Sequence, residues 1–522
     1  MKVKKLLWAM LLAVLCVGCS SDSEETPAED VVKLVSATLS EGAEVDANAT
    51  TSITLTYNTP IALSSKAKDL ITLNDMTVSA EKKQNSSTEV VVYCSLEPGR
   101  SYTLRIPAGV IVSTMYAKAS ASDYTLNFTT KKADTTADNV FPDYSAASMM
   151  SHLGFGWNLG NHFDTNGSNV GPWDKCPSKY WDTGKNLVTE DLYKSLAQLG
   201  VKTVRMPVTW GNYQDSTTVD YTIENGYMEE VAQNVYWAEK AGLNVLLNLH
   251  HDEYWLNIYG ASLDSKINEK IKTRIKATWK QVAERFRDKG NFLIFETFNE
   301  LQDGGWGWGA SKTDGGKQYK IMNEWNQLAV DVIRATGGNN AKRWIGVPGY
   351  AASPTITMDN LVLPTDPANH LMVAVHCYDP FDFCTTRKYS EWGHTGAADK
   401  KVSGSDEDYI NNLFKKLKNK YIDKNIPCYL GEFGASAQLT SRGELFRAYY
   451  LEYFCRSAYF HGIPVMLWDN NNSNANTSEP FYFVNHIDGT PYFRVLMEKM
   501  VKAATSTDVE YTLESVYNNA PK

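Results

Sequence analysis

From Val31 to about Thr130, polar and apolar residues alternate in short runs rich in Thr, Val, Ile and Tyr. A period of two puts every second side chain on one face of an extended strand. Ile53, Leu55 and Tyr57 then share one face and Thr54 and Thr56 the other, and residues 90–93, 102–106 and 124–128 repeat the pattern. Such runs within about 100 residues predict a small all-β sandwich over 30–131. No cluster of carboxylates or histidines marks a site in it, which favours a spacer over a glycan-binding module. The polar, small-residue stretch 132–139 reads as a linker.

Past Asn139 the texture changes to continuous apolar runs that alternate with amphipathic helical stretches. Eight runs stand out, at 154–159, 201–208, 243–250, 292–300, 343–349, 371–378, 427–433 and 464–469. Between them lie helix signals. Thr189 is placed to cap a helix whose Leu192, Leu196 and Leu199 share a face, and Gly200 ends it. Ile267, Ile271, Ile275, Trp279, Val282 and Phe286 mark another. Alternation of this kind means parallel strands joined by helices. Eight units over 140–505 predict an α/β fold, a (β/α)8 TIM barrel with loop insertions. An open doubly wound sheet would often carry a glycine-rich phosphate loop after its first strand, and none is present.

A formal net charge of -9 and no Lys/Arg run outside the extreme N-terminus argue against nucleic acid as a partner. With 14 Trp and 29 Tyr the chain holds many flat apolar faces with polar edges. Most belong in a core; a few suit a sugar-stacking cleft. Lys2, Lys4 and Lys5 precede the apolar run 6–17, too short to span a bilayer comfortably, so residues 1–19 read as an export signal. Its end, Val17-Gly18-Cys19-Ser20, resembles a bacterial lipobox, which implies lipidation of Cys19. The acidic stretch with Asp22, Glu24 and Glu25 is similar to the export signal of surface lipoproteins. Cys94, Cys176, Cys377, Cys384, Cys428 and Cys455 match neither a metal knuckle nor a dense disulfide framework.

In a (β/α)8 barrel, chemistry belongs at the C-terminal ends of the strands. Six of the eight runs end on reactive or polar residues: Arg205, His250-His251-Asp252, Asn299-Glu300, His376-Cys377-Tyr378, Glu432 and Trp468-Asp469. Each follows a run buried on both faces, where an unpartnered charge is costly. Glu300 and Glu432, on the fourth and seventh strands, face one another across the mouth. Retaining glycoside cleavage needs such a pair about 5 to 5.5 Å apart. His250-His251-Asp252 also raises a metallohydrolase, but it lacks the His-Glu-x-x-His spacing and a second cluster beside it. Neither a metal nor a cofactor is expected.

The ordered set Gly156-Trp157-Asn158-Leu159-Gly160-Asn161, Val204-Arg205-Met206-Pro207, Leu249-His250-His251-Asp252, Phe298-Asn299-Glu300, His376-Cys377-Tyr378-Asp379-Pro380, Gly431-Glu432-Phe433-Gly434 and Leu467-Trp468-Asp469-Asn470 resembles glycoside hydrolase family 5, the cellulase family. The first and fifth of these motifs look most like its endoglucanase and xyloglucanase branch. Thr297, Leu301 and Cys377 depart from that branch. In the N-terminal unit, Pro107-Ala108-Gly109-Val110-Ile111 and Phe128-Thr129-Thr130 resemble the bacterial Ig-like domains found ahead of catalytic modules. The resemblance implies Glu300 as acid/base, Glu432 as nucleophile, and Arg205 and Tyr378 as the groups that hold the nucleophile. It implies Asn299 on the sugar 2-OH, His250 and His376 as orienting residues, His251 against the neighbouring sugar and Trp468 as platform. Trp306 and Trp308, in the glycine-rich loop after Glu300, either line the leaving-group side or pack the loop. The expected protein is a retaining endo-β-1,4-glucanase acting on xyloglucan, mixed-linkage glucan or cellulose, a monomer anchored through Cys19 at the outer membrane or cell surface. The alternatives are an endo-β-1,4-mannanase or a catalytically silent glycan-binding protein of the same fold.

Overall fold

The computed structural model describes residues 32–132, 144–164, 188–474, 477 and 479–522 of the chain. The export signal with Cys19, nearly all of the linker and Cys176 lie outside the described residues.

The N-terminal unit is a sandwich. One sheet orders the strands Leu34–Ala37, Ser52–Tyr57, Glu89–Tyr93 and Ala80–Lys82; a second orders Ala43–Val45, Tyr124–Thr130, Ser101–Ile106, Thr72–Leu73 and Met76–Thr77. The period-two pattern decides which faces meet. Ile53 lies opposite Val92 and Leu55 opposite Val90, and all four side chains are buried between the sheets.

Eight parallel strands then close in chain order, the eighth pairing with the first through Phe155↔Val465 and Trp157↔Leu467. They are Phe155–Asn158, Thr203–Met206, Asn244–Asn248, Leu293–Glu296, Ile345–Pro348, Leu371–Cys377, Cys428–Phe433 and Val465–Leu467. Every residue in them is buried, as an all-parallel sheet covered by helices requires. The fourth is shorter than its apolar run. Its ladder ends at Glu296, the Thr297 N–H makes one more bond to Gly346 O, and the chain then turns away, so Asn299 and Glu300 sit on the loop beyond.

Helix Glu190–Gln198 buries Leu192, Leu196 and Leu199 as its spacing predicts. Thr189 occupies the N-cap position, but its hydroxyl donates to Ile487 O at 2.7 Å instead of capping a helical N–H. In helix Ser265–Arg285, Ile271, Ile275, Trp279 and Val282 face the barrel, while Ile267 in the first turn stays exposed. The three departures from the family pattern have local accounts. Thr297 donates its hydroxyl to Asn326 Oδ1 at 2.6 Å, and Asn326 donates to Pro348 O; Leu301 and Cys377 fill apolar slots. Cys94, Cys377, Cys384, Cys428 and Cys455 are free thiols.

The packed body continues past the expected boundary at 505: Val516 and Ala520, in and after helix Leu513–Asn518, join the barrel core. The sandwich is also docked on the barrel. Arg285 binds Glu97 at 2.9 Å and Glu229 at 2.8 Å, Arg100 binds Glu229 at 2.8 Å, and Lys289 approaches Glu97. Trp237 Nε1 donates to Ser95 Oγ at 3.1 Å beside them. Burial works against charge on Glu97, yet Arg285, Lys289 and Arg100 hold its pKa below the ordinary value.

Candidate active site

The site is built around Arg205, fully buried on the second strand. A guanidinium in such a place must be paired, and here all five N–H groups find acceptors. Nε and Nη2 reach Glu296 Oε1 at 3.1 and 2.6 Å, Nη1 reaches Asn158 Oδ1 at 3.0 Å and Glu432 Oε1 at 2.7 Å, and Nη2 reaches Asn299 Oδ1 at 2.9 Å. Burial opposes the charge, but Glu296 and Glu432 outweigh it and raise the pKa above that of a free arginine. Glu296 also accepts from Asn248 Nδ2 at 2.9 Å and Tyr429 OH at 2.6 Å. Although its burial favours the acid form, Arg205 keeps it ionised, with a lowered pKa. Asn158 donates from the first strand to Gly431 O on the seventh and Leu467 O on the eighth, tying the closure of the barrel to the same network.

Glu432 closes the network at the mouth. Arg205 holds its Oε1, and the Tyr378 hydroxyl, just past the sixth strand, donates to Oε2 at 2.8 Å. Glu300 approaches from the fourth-strand loop, and its Oε1 shares a hydrogen bond of 2.7 Å with His376 Nδ1, which stands 3.7 Å from Glu432 Oε2. One oxygen of Glu300, one of Glu432 and this nitrogen all lie within 4.8 Å of one another. Burial pushes the Glu300 pKa up to about 7 against the pull of His251 and Arg205. Burial likewise pulls His376 down to about 4, so its ring is neutral near pH 7 and adds no cation between the two carboxyls.

The third-strand histidines behave differently from one another. Asn248 Oδ1 accepts from Val208 N, so its amide nitrogen faces His250 Nδ1 at 3.1 Å and leaves the ring proton on Nε2, 3.9 Å from Asp164 Oδ2. The His250 ring lies parallel to the Trp468 indole, 6.1 Å between centroids and 4° between planes. Gly160 makes room for that indole, since a Cβ there would come 2.8 Å from its edge. Partial burial disfavours a charge on His251, but Glu253, Asp164 and Glu300 raise its pKa; with 42% of the side chain exposed, solvent screens part of that attraction.

Arg205, His250, Asn299, His376, Tyr378 and Trp468 thus gather around Glu300 and Glu432, with His251 at the rim. Two carboxylates expected among the strand-end chemistry are instead occupied by the scaffold. Asp252 accepts from Trp210 N, Gly211 N and Trp255 Nε1. Asp469 accepts from Trp157 Nε1, Phe483 N and Val484 N. His250-His251-Asp252 is therefore no common ligand set; Asp164 is the carboxylate that meets the two histidines. Glu296, Asp164, Asn248 and Tyr429 escaped the sequence reading. Glu296 had a signal, a carboxylate closing the apolar run Phe292-Leu293-Ile294-Phe295, where burial demands a partner. Trp306 and Trp308 do not pack their loop: they are 54% and 80% exposed.

Cutting an acetal in a sugar chain takes two carboxyl groups close together, one that retains its proton through burial and one ringed by donors. The barrel mouth supplies both, which places the molecule among the glycoside hydrolases. Residues 160–474 match the family model for cellulase, glycosyl hydrolase family 5, and the chain belongs to that family. Residues 28–130 match the bacterial Ig-like domain. Endoglucanase 1 of Ruminococcus albus is 31% identical over 74% of this chain and 88% of its own. Among solved structures, a Bacteroidetes-affiliated family 5 cellulase linked with a polysaccharide utilization locus is 39% identical with a TM-score of 0.68, over 73% of this chain and 98% of that one. A broad-specificity endoglucanase from Bacteroides salanitronis is 40% identical with a TM-score of 0.66, over 72% and 99%.

Proposed function

We propose that the protein is an exported, surface-anchored endo-β-1,4-glucanase that cleaves with retention. The approach of Glu300 and Glu432 to within 4.8 Å carries this reading, because an inverting pair stands about 6.5 to 9.5 Å apart to admit a water. In the first step a carboxylate oxygen of Glu432 attacks the anomeric carbon while Glu300 passes its proton to the departing glycosidic oxygen. The glycosidic bond breaks and an ester to Glu432 forms. Glu300, now a carboxylate, takes a proton from water, whose oxygen displaces Glu432 and restores the starting state. Arg205 and Tyr378 hold Glu432 aimed by hydrogen bonds to its two oxygens. Asn299 gives its oxygen to Arg205, which turns its amide N–H groups toward the sugar 2-OH. His250 offers Nε2–H to the sugar over Trp468, His376 orients Glu300, and His251 meets the neighbouring unit.

The substrate is a glucan backbone such as xyloglucan, mixed-linkage glucan or cellulose. Support comes from the Bacteroides salanitronis endoglucanase of broad specificity and from a family 5 lichenase of Caldicellulosiruptor sp. F32, 27% identical with a TM-score of 0.60. Asn299 discriminates against mannan, whose 2-OH is axial. The decisive experiment compares wild type with Glu432→Ala and Glu300→Ala on a panel of β-glucans, xyloglucan, mannan and xylan, with product sizing. Both variants lose turnover by orders of magnitude, and azide restores part of Glu432→Ala with inverted product. Wild-type product first appearing in the inverted configuration overturns the two-step mechanism, and preference for mannan overturns the substrate.

A further inference from the structure

The sandwich has two unlike ends, joined by strand Tyr124–Thr130, which spans about 20 Å at the usual rise. Its Thr130 end meets the barrel. Thr130 N donates to Arg100 O and its hydroxyl to Glu97 O, and Arg100 and Glu97 pair with Glu229 and Arg285. At the other end Val32 pairs with Ala121 in parallel, so the chain enters the sandwich from the side of the residues that precede Ala121. Those residues form a hairpin, with Ala121 N bonded to Ile111 O and Ser113 N to Ala119 O. Its flanks are core, since Val110, Ile111, Ala119 and Ala121 are buried. Its tip, 114–118, is exposed throughout, Met115 at 62% and Tyr116 at 51%.

The tip is held from within. Ser113 Oγ accepts from Met115 N at 3.0 Å and Tyr116 N at 3.1 Å, Thr114 N donates to Pro60 O at 2.9 Å, and the Thr59 hydroxyl donates to Met115 Sδ at 3.8 Å. With these N–H groups satisfied by the protein, the tip can leave water without stranding them. Outward it presents a thioether, an aromatic ring with a polar edge and, at Lys118, a cation. Segment 113–119 holds no acidic residue, in a chain of net charge -9. That trio suits the layers of a lipid interface: the acyl boundary for Met115, the headgroup level for Tyr116 and the phosphates for Lys118. Residues 20–31 separate Cys19 from Val32, so this end stays within about 45 Å of a lipid attached to Cys19.

We infer that Met115, Tyr116 and Lys118 form a lipid-contacting surface, which seats the sandwich on the membrane to which Cys19 tethers it and holds the barrel off at the opposite end. The inference rests on the surface-anchored reading above. A tethered tip meets the bilayer at high effective concentration, so even a weak second contact converts a loose leash into a fixed orientation.

Fluorescence quenching in vesicles tests it. Full-length lipidated protein is reconstituted into vesicles of phosphatidylethanolamine and phosphatidylglycerol whose acyl chains are brominated near the headgroup. A bimane label is placed at the tip through Met115→Cys, or at the barrel end through Ala49→Cys, an exposed site next to the strand in which Val45 pairs with Thr130. Labelled wild type gives the background of the native thiols. The tip label is expected to lose most of its emission and the Ala49→Cys label none. Adding Tyr116→Ser and Lys118→Glu to Met115→Cys should restore the emission with cellohexaose turnover unchanged. Equal quenching of the two labels, or an unquenched tip on protein that floats with the vesicles, overturns the contact alone. A tip label that responds to barley β-glucan and not to lipid assigns the surface to glycan and also overturns it. Wild-type protein that carries no acyl group and does not float overturns the anchor and the contact with it.

Discussion

Arg205→Met removes the charge at the centre of the site while keeping most of the side-chain bulk. Glu296, fully buried, and Glu432, nearly so, then lose the only guanidinium that contacts them among the described residues. An uncompensated buried charge costs about 3–5 kcal/mol. With an unfolding entropy of roughly 2.1 cal/mol/K per residue over about 370 residues, each kcal/mol moves the barrel's Tm by about 1.3 °C, so a fall of about 4–6 °C is expected at pH 7. The pH dependence follows from Glu296. In the wild type its pKa is lowered, so its pairing stabilises the fold above the ordinary carboxyl range and that contribution fades as pH falls. In the variant, burial without the cation raises it, and the penalty is present at neutral pH and relieved as the group protonates. The gap between the two proteins should therefore be wide at pH 7 and narrow toward pH 4.5. Adding Glu296→Gln should return part of the lost stability, since no charge is then stranded behind Asn248 and Tyr429. Calorimetric unfolding of the four proteins of this cycle across that pH range reads all three effects. A single variant as stable as wild type at pH 7, or a double variant no better than the single, refutes the reasoning.

The alkaline limb of kcat/KM should fall with an apparent pKa near 7, because Glu300 must carry its proton to act as acid and burial holds that proton to about pH 7; a limb below about pH 5.5 contradicts this. Removing the sandwich before residue 144 should leave turnover of cellohexaose nearly unchanged, since every proposed catalytic residue lies beyond it, but should lower the barrel's Tm because Arg285 and Lys289 lose Glu97. Equal melting of the two forms would show that the docked ion cluster contributes nothing. Cys19→Ala is expected to release the protein from the membrane fraction with its activity intact; undiminished retention argues against the lipid anchor.

What the sequence determined by itself is whatever periodicity and spacing encode locally. Alternation around Ile53, Leu55 and Tyr57 defined the strands of the sandwich, and eight apolar runs separated by amphipathic helices defined the barrel. Placement after those runs then marked Glu300 and Glu432 as a facing pair. Tertiary structure alone decided which polar residues are free for chemistry. Asp252 and Asp469 occupy the same kind of position as Glu432, yet backbone N–H groups and the indoles of Trp255 and Trp157 occupy them. Glu296 lies inside a strand and reaches Arg205 only because the second, third, fourth and seventh strands bring Arg205, Asn248, Glu296 and Tyr429 to one point. The exposure of Trp306 and Trp308 was equally invisible, since a glycine-rich loop reads alike whether its aromatics fold inward or stand clear. Hydrogen-bond capacity and dielectric are shared among residues distant in sequence, so the division between scaffold and chemistry emerges only once the barrel has closed.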